Sequence, residues 1–365
     1  MVPERNYAAN SNVVSIKNRE DVYGIPEKAI RYPEMRYMGS KKRLLPWINQ
    51  VLDTLDFESA MDPFCGTGSV AYLMKAMGRR VIASDFLNFT SLVARATIEN
   101  SSIRLDGKAI RQLMNRTADG HNFIENTFSG IFYTREDLKF LDSVSGNIRQ
   151  LENPYEQALA FAALFRSCLK RQPRGVFTVS GDLSRYDDGR RDLRLTLEEH
   201  FLEQIEVYNC SVFDNGRRNA AYRSDVFDAQ KKHTDLVYLD PPYVPRSDDN
   251  CYVKRYHFIE GLSCYWQGLP IDWTTKVRKI EKKYTPFSYR RTALDAFDRM
   301  FSRFSKSKIV LSYSSNGYPN LEELISLMQK YKKNIQVFEK PHRYHFGNHK
   351  KTKRSSALEY LIVGT

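Results

Sequence analysis

The sequence predicts an α/β domain assembled from both ends of the chain and interrupted by a mostly helical insertion. Three observations carry this expectation. Residues 59–85 read as strand, glycine-rich turn, helix, strand and terminal acid, which is one βαβ unit. From about 100 to 215 that alternation stops, and helical stretches alternate with polar loops. From Asp235 to Val363 the β/α alternation returns. The expected divisions are residues 1–33 as a largely irregular extension that orders on a partner, 34–100 with 216–365 as the α/β domain, and 101–215 as the insertion.

Taken in order, Leu44, Leu45, Ile48, Val51, Leu52 and Leu55 recur at helical spacing after Gly39–Ser40. Ser59–Ala60–Met61 leads into Asp62–Pro63–Phe64–Cys65–Gly66–Thr67–Gly68–Ser69, and Val70–Met77 reads as a helix closed by Gly78. Arg80–Ser84 is a short strand that ends at Asp85. Helices are expected at 155–170 and 196–211. Strands follow at Asp235–Leu239, Lys308–Tyr313, Ile335–Glu339 and Leu358–Val363, with helices at 291–305 and 320–331. The turn and basic residues Gly347–Lys353 join the last two strands as a hairpin.

A chain of 365 residues, 42% of them hydrophobic, can bury one large core. A formal net charge of +13 suggests a polyanionic partner, most simply nucleic acid. The five cysteines, at 65, 168, 210, 251 and 264, are odd in number and form no Cys-x-x-Cys pair. A disulfide framework and a zinc site are therefore disfavoured, and a reducing cytosol is expected. His342, His345 and His349 stand among Arg343, Lys350 and Lys351, whose charge disfavours a cation, so no metal is expected. No run approaches a membrane span, and Met1–Arg19 lacks the apolar core of a signal peptide.

The most informative segment is Asp240–Pro241–Pro242–Tyr243, directly after the apolar run Leu236–Leu239. A carboxylate and the following carbonyl can accept hydrogen bonds from a planar amine, while the tyrosine stacks on the same ring. The plain alternative is a strand followed by an Asp-Pro turn. In Gly66-x-Gly68 the backbone can pass close to a ligand and open a helix N-terminus toward it. Ala71 stands where a dinucleotide fingerprint needs a third glycine, and Gly-Lys-Ser/Thr is absent. A nucleoside without phosphate fits better, and S-adenosylmethionine is the common one. Asp85, at the end of the next strand, is placed to take ribose hydroxyls. Two weaker elements are Tyr37–Met38–Gly39–Ser40–Lys41, which also reads as a helix cap with a solvated lysine, and Ser224–Asp225–Val226–Phe227, which also reads as a turn.

In this order the motifs resemble the Dam-type (alpha-group) N6-adenine DNA methyltransferases, from about residue 36 to the end, with 100–215 similar in position and character only. Arg255–Phe258 and Leu311–Ser314 are also similar to segments of that family. The resemblance implies a Rossmann-like methyltransferase fold with a mixed seven-stranded sheet and an inserted target-recognition domain. It implies S-adenosylmethionine as methyl donor, S-adenosylhomocysteine as product, and duplex DNA as substrate. A cognate restriction endonuclease is a further implied partner, with a bacterial or phage-encoded protein working in the cytoplasm at the nucleoid. Carried over by residue, Tyr37 and Lys41 contact the methionine end of the cofactor. Asp62, Phe64, Cys65, Gly66, Gly68 and Ser69 form its loop, Asp85 takes the ribose, and Asp225 with Val226 takes the adenine. Asp240, Pro241, Pro242 and Tyr243 are catalytic, Asp240 also lying beside the cofactor. Tyr37 stands where the family often has tryptophan, and Gly39–Ser40 where it often has two glycines.

Within the insertion, Arg166, Lys170, Arg171, Arg174, Arg185, Arg190, Arg191 and Arg194 are candidates for phosphates or guanine edges. Gln172, Asn122 and Asn126 are candidates for adenine. A second basic stretch, Arg343–Arg354, includes Arg343, Lys350 and Lys351 and is a candidate backbone contact. Several of these charges would equally suit a solvated surface. Two other functions fit the motifs less well: an RNA adenine methyltransferase, and a non-catalytic nucleic-acid-binding subunit.

Overall fold

The computed structural model describes residues 13–17, 24–115, 122–173, 175–178, 189–228, 233–244, 251–343 and 356–365. The chain opens with strand β1 (Val13–Lys17) and a one-turn helix α1 (Glu27–Ile30). Helix α2 (Leu45–Asp53) precedes β2 (Ser59–Asp62), α3 (Ser69–Ala76), β3 (Arg80–Asp85) and α4 (Asn88–Ala94). The insertion supplies α5 (Gly107–Met114), α6 (Phe123–Phe128), α7 (Arg135–Arg149), α8 (Pro154–Arg171) and α9 (Leu197–Ser211). Then come β4 (Ala220–Arg223), β5 (Leu236–Leu239), α10 (Tyr252–Cys264) and a small hairpin, β6 (Ile271–Asp272) and β7 (Lys279–Ile280). The chain ends with α11 (Arg290–Arg303), β8 (Lys308–Ser314), α12 (Leu321–Gln329), β9 (Ile335–Arg343) and β10 (Ser356–Gly364).

The large sheet runs β1-β9-β10-β8-β5-β2-β3-β4. β10 is antiparallel to both neighbours, and the other pairs are parallel. Seven of these strands form the mixed sheet expected from the sequence. β1 adds an eighth at the edge, so the N-terminal extension is not irregular throughout. All residues of β2 and β5 are buried, as central parallel strands covered on both faces must be.

Side-chain alternation sorts the sheet into two layers. Ala60, Tyr238, Val310 and Leu361 pack with α2 and α3. Met61, Val237, Ile309, Leu311 and Ile362 pack with α11 and α12. The helices of the insertion share a third cluster with α4 and α10, through Phe89, Val93, Tyr256 and Phe258. The insertion therefore has no core separate from the α/β domain. Glu260 on α10 tightens this junction by accepting hydrogen bonds from the free N–H groups of Asn88 and Phe89 at the start of α4, at 2.9–3.1 Å.

Chain order reverses between β5 and β2: from β2 the sheet grows through β3 and β4, and from β5 through β8. Such a switch point leaves a crevice at the carboxyl ends of the strands. Asp62 ends β2, Asp85 ends β3, Asp240 follows β5, and Ser224–Asp225 follows β4.

Candidate active site

Four neighbouring strands thus deliver acids to one cleft. The cleft encloses about 880 Å³, its open mouth included. Of the twelve residues expected at a cofactor, eleven line it: Tyr37, Lys41, Asp62, Phe64, Cys65, Gly66, Ser69, Asp85, Asp225, Val226 and Asp240. Gly68 does not line it; with φ of 92° it caps α3 just behind the turn.

The glycine turn is held from both sides. Cys65 N donates to Ser84 O on β3 at 3.1 Å, and Gly68 N donates to Cys65 O at 2.7 Å. Gly66 N donates to Asp85 Oδ2 at 2.9 Å, and Leu87 N to Asp85 Oδ1 at 3.0 Å. Each carboxylate oxygen has two lone-pair directions, so these bonds fix Asp85 while leaving acceptor capacity for hydroxyls. Burial pushes its pKa up to about 6 against those same hydrogen bonds. Gly66 has φ of 51°, and a Cβ there would sit 2.9 Å from Cε1 of Tyr37.

Asp240 forms an ion pair with Lys41, Nζ to Oδ1 at 3.0 Å. Burial raises its pKa, and the Lys41 ammonium opposes the rise. Asp62 is driven well above the carboxylate range, first by burial and then by Asp240, with only the Phe64 N–H, 3.3 Å from Oδ1, pulling it down. The two strand ends therefore differ in character: Asp240 carries a cation partner and Asp62 does not.

Asp240 and Pro242 line the cleft, and Pro241 and Tyr243 do not. The Tyr243 ring lies 5.3 Å from that of Tyr313 on β8, tilted by 60°. The next residue, Val244, pairs with Tyr318, so the loop after β5 is braced by the segment after β8. Asp225 is exposed and closes its own turn by accepting from Phe227 N at 2.9 Å, while Val226 is buried beside it.

Sequence reasoning missed an aromatic wall. Tyr37 stacks on Tyr256, centroids 4.9 Å apart, and lies 5.3 Å from Tyr252, which lines the cleft. Met38 N donates to the Tyr256 hydroxyl at 2.7 Å, tying the Tyr37–Lys41 segment to α10. On the other side Phe287 meets Phe64 edge-on at 5.5 Å and stacks on Phe227, and Tyr284 stands exposed at the mouth. The i, i+4 spacing of Tyr252 and Tyr256 after the Asp240 loop was the available signal for the first group; Tyr284 and Phe287 had none.

The basic residues of the insertion are largely engaged within the chain. Arg166 donates to Glu34 O at 2.8 Å and to the Gln204 side chain. Lys170 pairs with Asp192 at 2.9 Å, and Arg171 with Asp137 at 3.6 Å and with the Leu193 carbonyl. Arg190 donates to Pro173 O at 2.8 Å, and Arg191 pairs with Glu203. Gln172 is buried and donates to Phe132 O at 3.1 Å. Arg194, Asn122 and Asn126 are exposed. Arg174, Arg185, His345, His349, Lys350 and Lys351 lie outside the described residues, as does the side chain of Arg343. Among the described residues no group of three His, Cys, Asp or Glu is placed to hold a metal, and no helix is long and apolar enough to cross a membrane.

A glycine turn and strand-end acids at the switch point, with an Asp-Pro-Pro-Tyr loop beside them, define the class of methyltransferases built on this sheet. Residues 37–262 match the family of D12 class N6 adenine-specific DNA methyltransferases, and the chain belongs to that family. It is similar to the type II methyltransferase M2.HphI of Haemophilus parahaemolyticus, at 28% identity over 345 residues, covering 91% of this chain and 98% of the relative. It is similar to the modification methylase StsI of Streptococcus sanguinis at 25% identity and to the type II methyltransferase M.FokI of Planomicrobium okeanokoites at 24%. In both cases 90% of this chain is covered, and the chain spans about half the length of the relative, 52%. The protein is an adenine-specific DNA methyltransferase.

Proposed function

We propose that the cleft holds S-adenosylmethionine and that Asp240 and Pro241 activate N6 of an adenine turned out of duplex DNA. The observation that carries the proposal is the convergence of Asp62, Asp85, Asp225 and Asp240 at adjacent strand ends around the Gly66 turn.

The residues present suit that cofactor. Asp85 is pinned by two backbone N–H groups with acceptor capacity left for a ribose diol. Gly66, with φ of 51° and no side chain, lets the Tyr37 ring lie directly against the turn. Val226 and Phe287 offer apolar surface, with Asp225 at the edge as an acceptor for an adenine amine. Burial and the nearby Asp240 raise the Asp62 pKa, and a cation beside it would favour its ionised form. When bound, the cofactor supplies an electrophilic methyl group.

The N6 lone pair of adenine is delocalised into the ring. If the Asp240 carboxylate and the Pro241 carbonyl accept its two N–H groups, the nitrogen turns toward tetrahedral geometry and its lone pair becomes available. Asp240 then offsets the positive charge that develops on nitrogen. Because Lys41 sits on Oδ1, Oδ2 is the oxygen proposed to face the amine. Extrusion of the base costs a few kcal/mol, and Tyr243 is proposed as its stacking surface. The insertion, 101–215, is proposed to recognise the target sequence, with Arg194, Asn122 and Asn126 the candidates among the described residues. The modification-methylase names of the relatives support a restriction endonuclease as companion.

Expression in a host lacking adenine methylation, followed by sequencing for modified bases, tests the reading. N6-methyladenine at one sequence motif is expected. Methylated RNA with unmodified DNA would overturn it.

A further inference from the structure

Among the described residues, the β6–β7 hairpin exposes an aromatic and basic face outside the cleft. Residues 273–284 carry Lys276, Arg278, Lys279, Lys282 and Lys283 against one acid, Glu281. Trp273, at the turn, is 59% exposed, whereas the other two tryptophans, Trp47 and Trp266, are 2% and 5% exposed. An indole left 59% exposed contributes far less apolar burial to the fold than the other two.

The hairpin is nevertheless built. Asp272 Oδ1 accepts from Thr274 N at 3.0 Å, and Thr275 Oγ1 donates to Asp272 O at 2.8 Å. Arg278 takes φ of 52°, outside the usual range for an L side chain, and its guanidinium lies 5.1 Å above the Trp273 ring. Its Nη1 also donates to Trp273 O at 2.6 Å. Val277 and Ile280 are each 5% exposed and root the hairpin in the cluster that contains α10. The turn is thus closed by its own hydrogen bonds.

Its position follows from its two ends. Upstream, Tyr252 on α10 lines the cleft, and Lys254, two residues on, lines a groove with Ile271, Lys279 and Lys282 of the hairpin. Downstream, Tyr284 stands at the mouth of the cleft, four residues beyond Ile280. The groove, lined by three lysines and by Asp272 and Glu281, thus belongs to a segment whose two flanks, Tyr252 and Tyr284, line the cleft.

We infer that the β6–β7 hairpin is a second DNA-binding element. In it the lysines of the groove hold the phosphate backbone beside the extruded base, and the Trp273–Arg278 pair packs against the sugar–phosphate edge. The inference rests on the DNA methyltransferase reading and adds an element outside the insertion. Charge complementarity favours DNA over a protein partner: five cations in twelve residues, one of them 5.1 Å over an indole, suit a polyanion.

The test uses the full chain with a duplex carrying its target site, or host genomic fragments. Complex formation is followed by fluorescence anisotropy of labelled DNA. With Trp47 and Trp266 buried, emission quenched by acrylamide comes from Trp273, and a Trp273→Phe variant verifies that assignment. Saturating DNA should lower the quenching constant at least about two-fold. The Lys276→Gln/Lys279→Gln/Lys282→Gln variant should lose about 2–3 units of log–log salt slope on cognate and unrelated duplexes alike, at about one unit per phosphate contact. Its affinity for S-adenosylmethionine should be unchanged. Saturation by DNA with undiminished quenching, or an unchanged salt slope, would overturn the inference and leave the parent reading standing. Failure of the intact protein to bind any duplex would overturn both.

Discussion

Lys41 Nζ lies 3.0 Å from Asp240 Oδ1, joining the segment before the first long helix to the loop after β5, 199 positions away in the chain. The pair sets the ionisation of the proposed catalytic carboxyl. Burial raises the Asp240 pKa and the ammonium opposes it. Lys41→Met should therefore move the acid limb of the methyl-transfer pH profile to higher pH. It should lower kcat by about 10–100-fold at neutral pH, measured at saturating DNA and cofactor. An unmoved acid limb would separate Lys41 from the ionisation of Asp240.

Asp85 gives a second pH effect, of known sign. Its pKa is raised by burial to about 6, above its ordinary 3.8. In the free protein this carboxyl favours the folded state when protonated, so its contribution falls as pH rises from about 4 through about 6. Ribose hydroxyls are donors and need the ionised form. Cofactor affinity should therefore rise between about pH 5 and 7 and then level off. In Asp85→Asn the rise should vanish, with affinity at pH 7.5 lower by at least about 10-fold, the scale of a charge-assisted hydrogen bond. Calorimetric titration at several pH values checks both.

Gly66→Ala combines an unfavourable φ with a methyl group 2.9 Å from the Tyr37 ring. The ring must move, and with it the stack on Tyr256. Cofactor affinity should fall by at least about 10-fold while the melting temperature drops only a few degrees, since Gly66 and Tyr37 both line the cleft.

Tyr256→Phe keeps the stack on Tyr37 but removes the acceptor for the Met38 N–H. An unpaired N–H costs about 1–3 kcal/mol when fully buried, and less at this part-buried position. The expected outcome is a loss of stability of at most about 1 kcal/mol by urea unfolding and a raised cofactor KM, because the Tyr37–Lys41 segment loses its tether.

The strand-end acids were legible in the sequence because each closes a short buried run: Met61 before Asp62, Ser84 before Asp85, Leu239 before Asp240. Turn chemistry marked Gly66 and Gly68. Of the aromatic wall, only the i, i+4 spacing of Tyr252 and Tyr256 on α10 was a signal in the sequence, since Tyr284 and Phe287 reach the cleft only by the path of a loop. The charge run Arg166–Arg194 suggested a DNA surface, yet its acceptors, Glu34, Asp137 and Glu203, are spread over 170 residues and only the fold brings them in. Likewise β1 is too short to be read alone, and its partner β9 lies more than 300 residues away.

The central claim is that the Asp240 carboxylate acts on N6 in the transition state. The most direct measurement compares wild-type protein with Asp240→Ala by nucleoside mass spectrometry of treated duplex DNA, alongside DNA binding by anisotropy. The account predicts N6-methyladenine from the wild type, none from Asp240→Ala, and duplex affinity retained within a few-fold. Methyl transfer by Asp240→Ala at more than a trace, or N4-methylcytosine as the wild-type product, would contradict it.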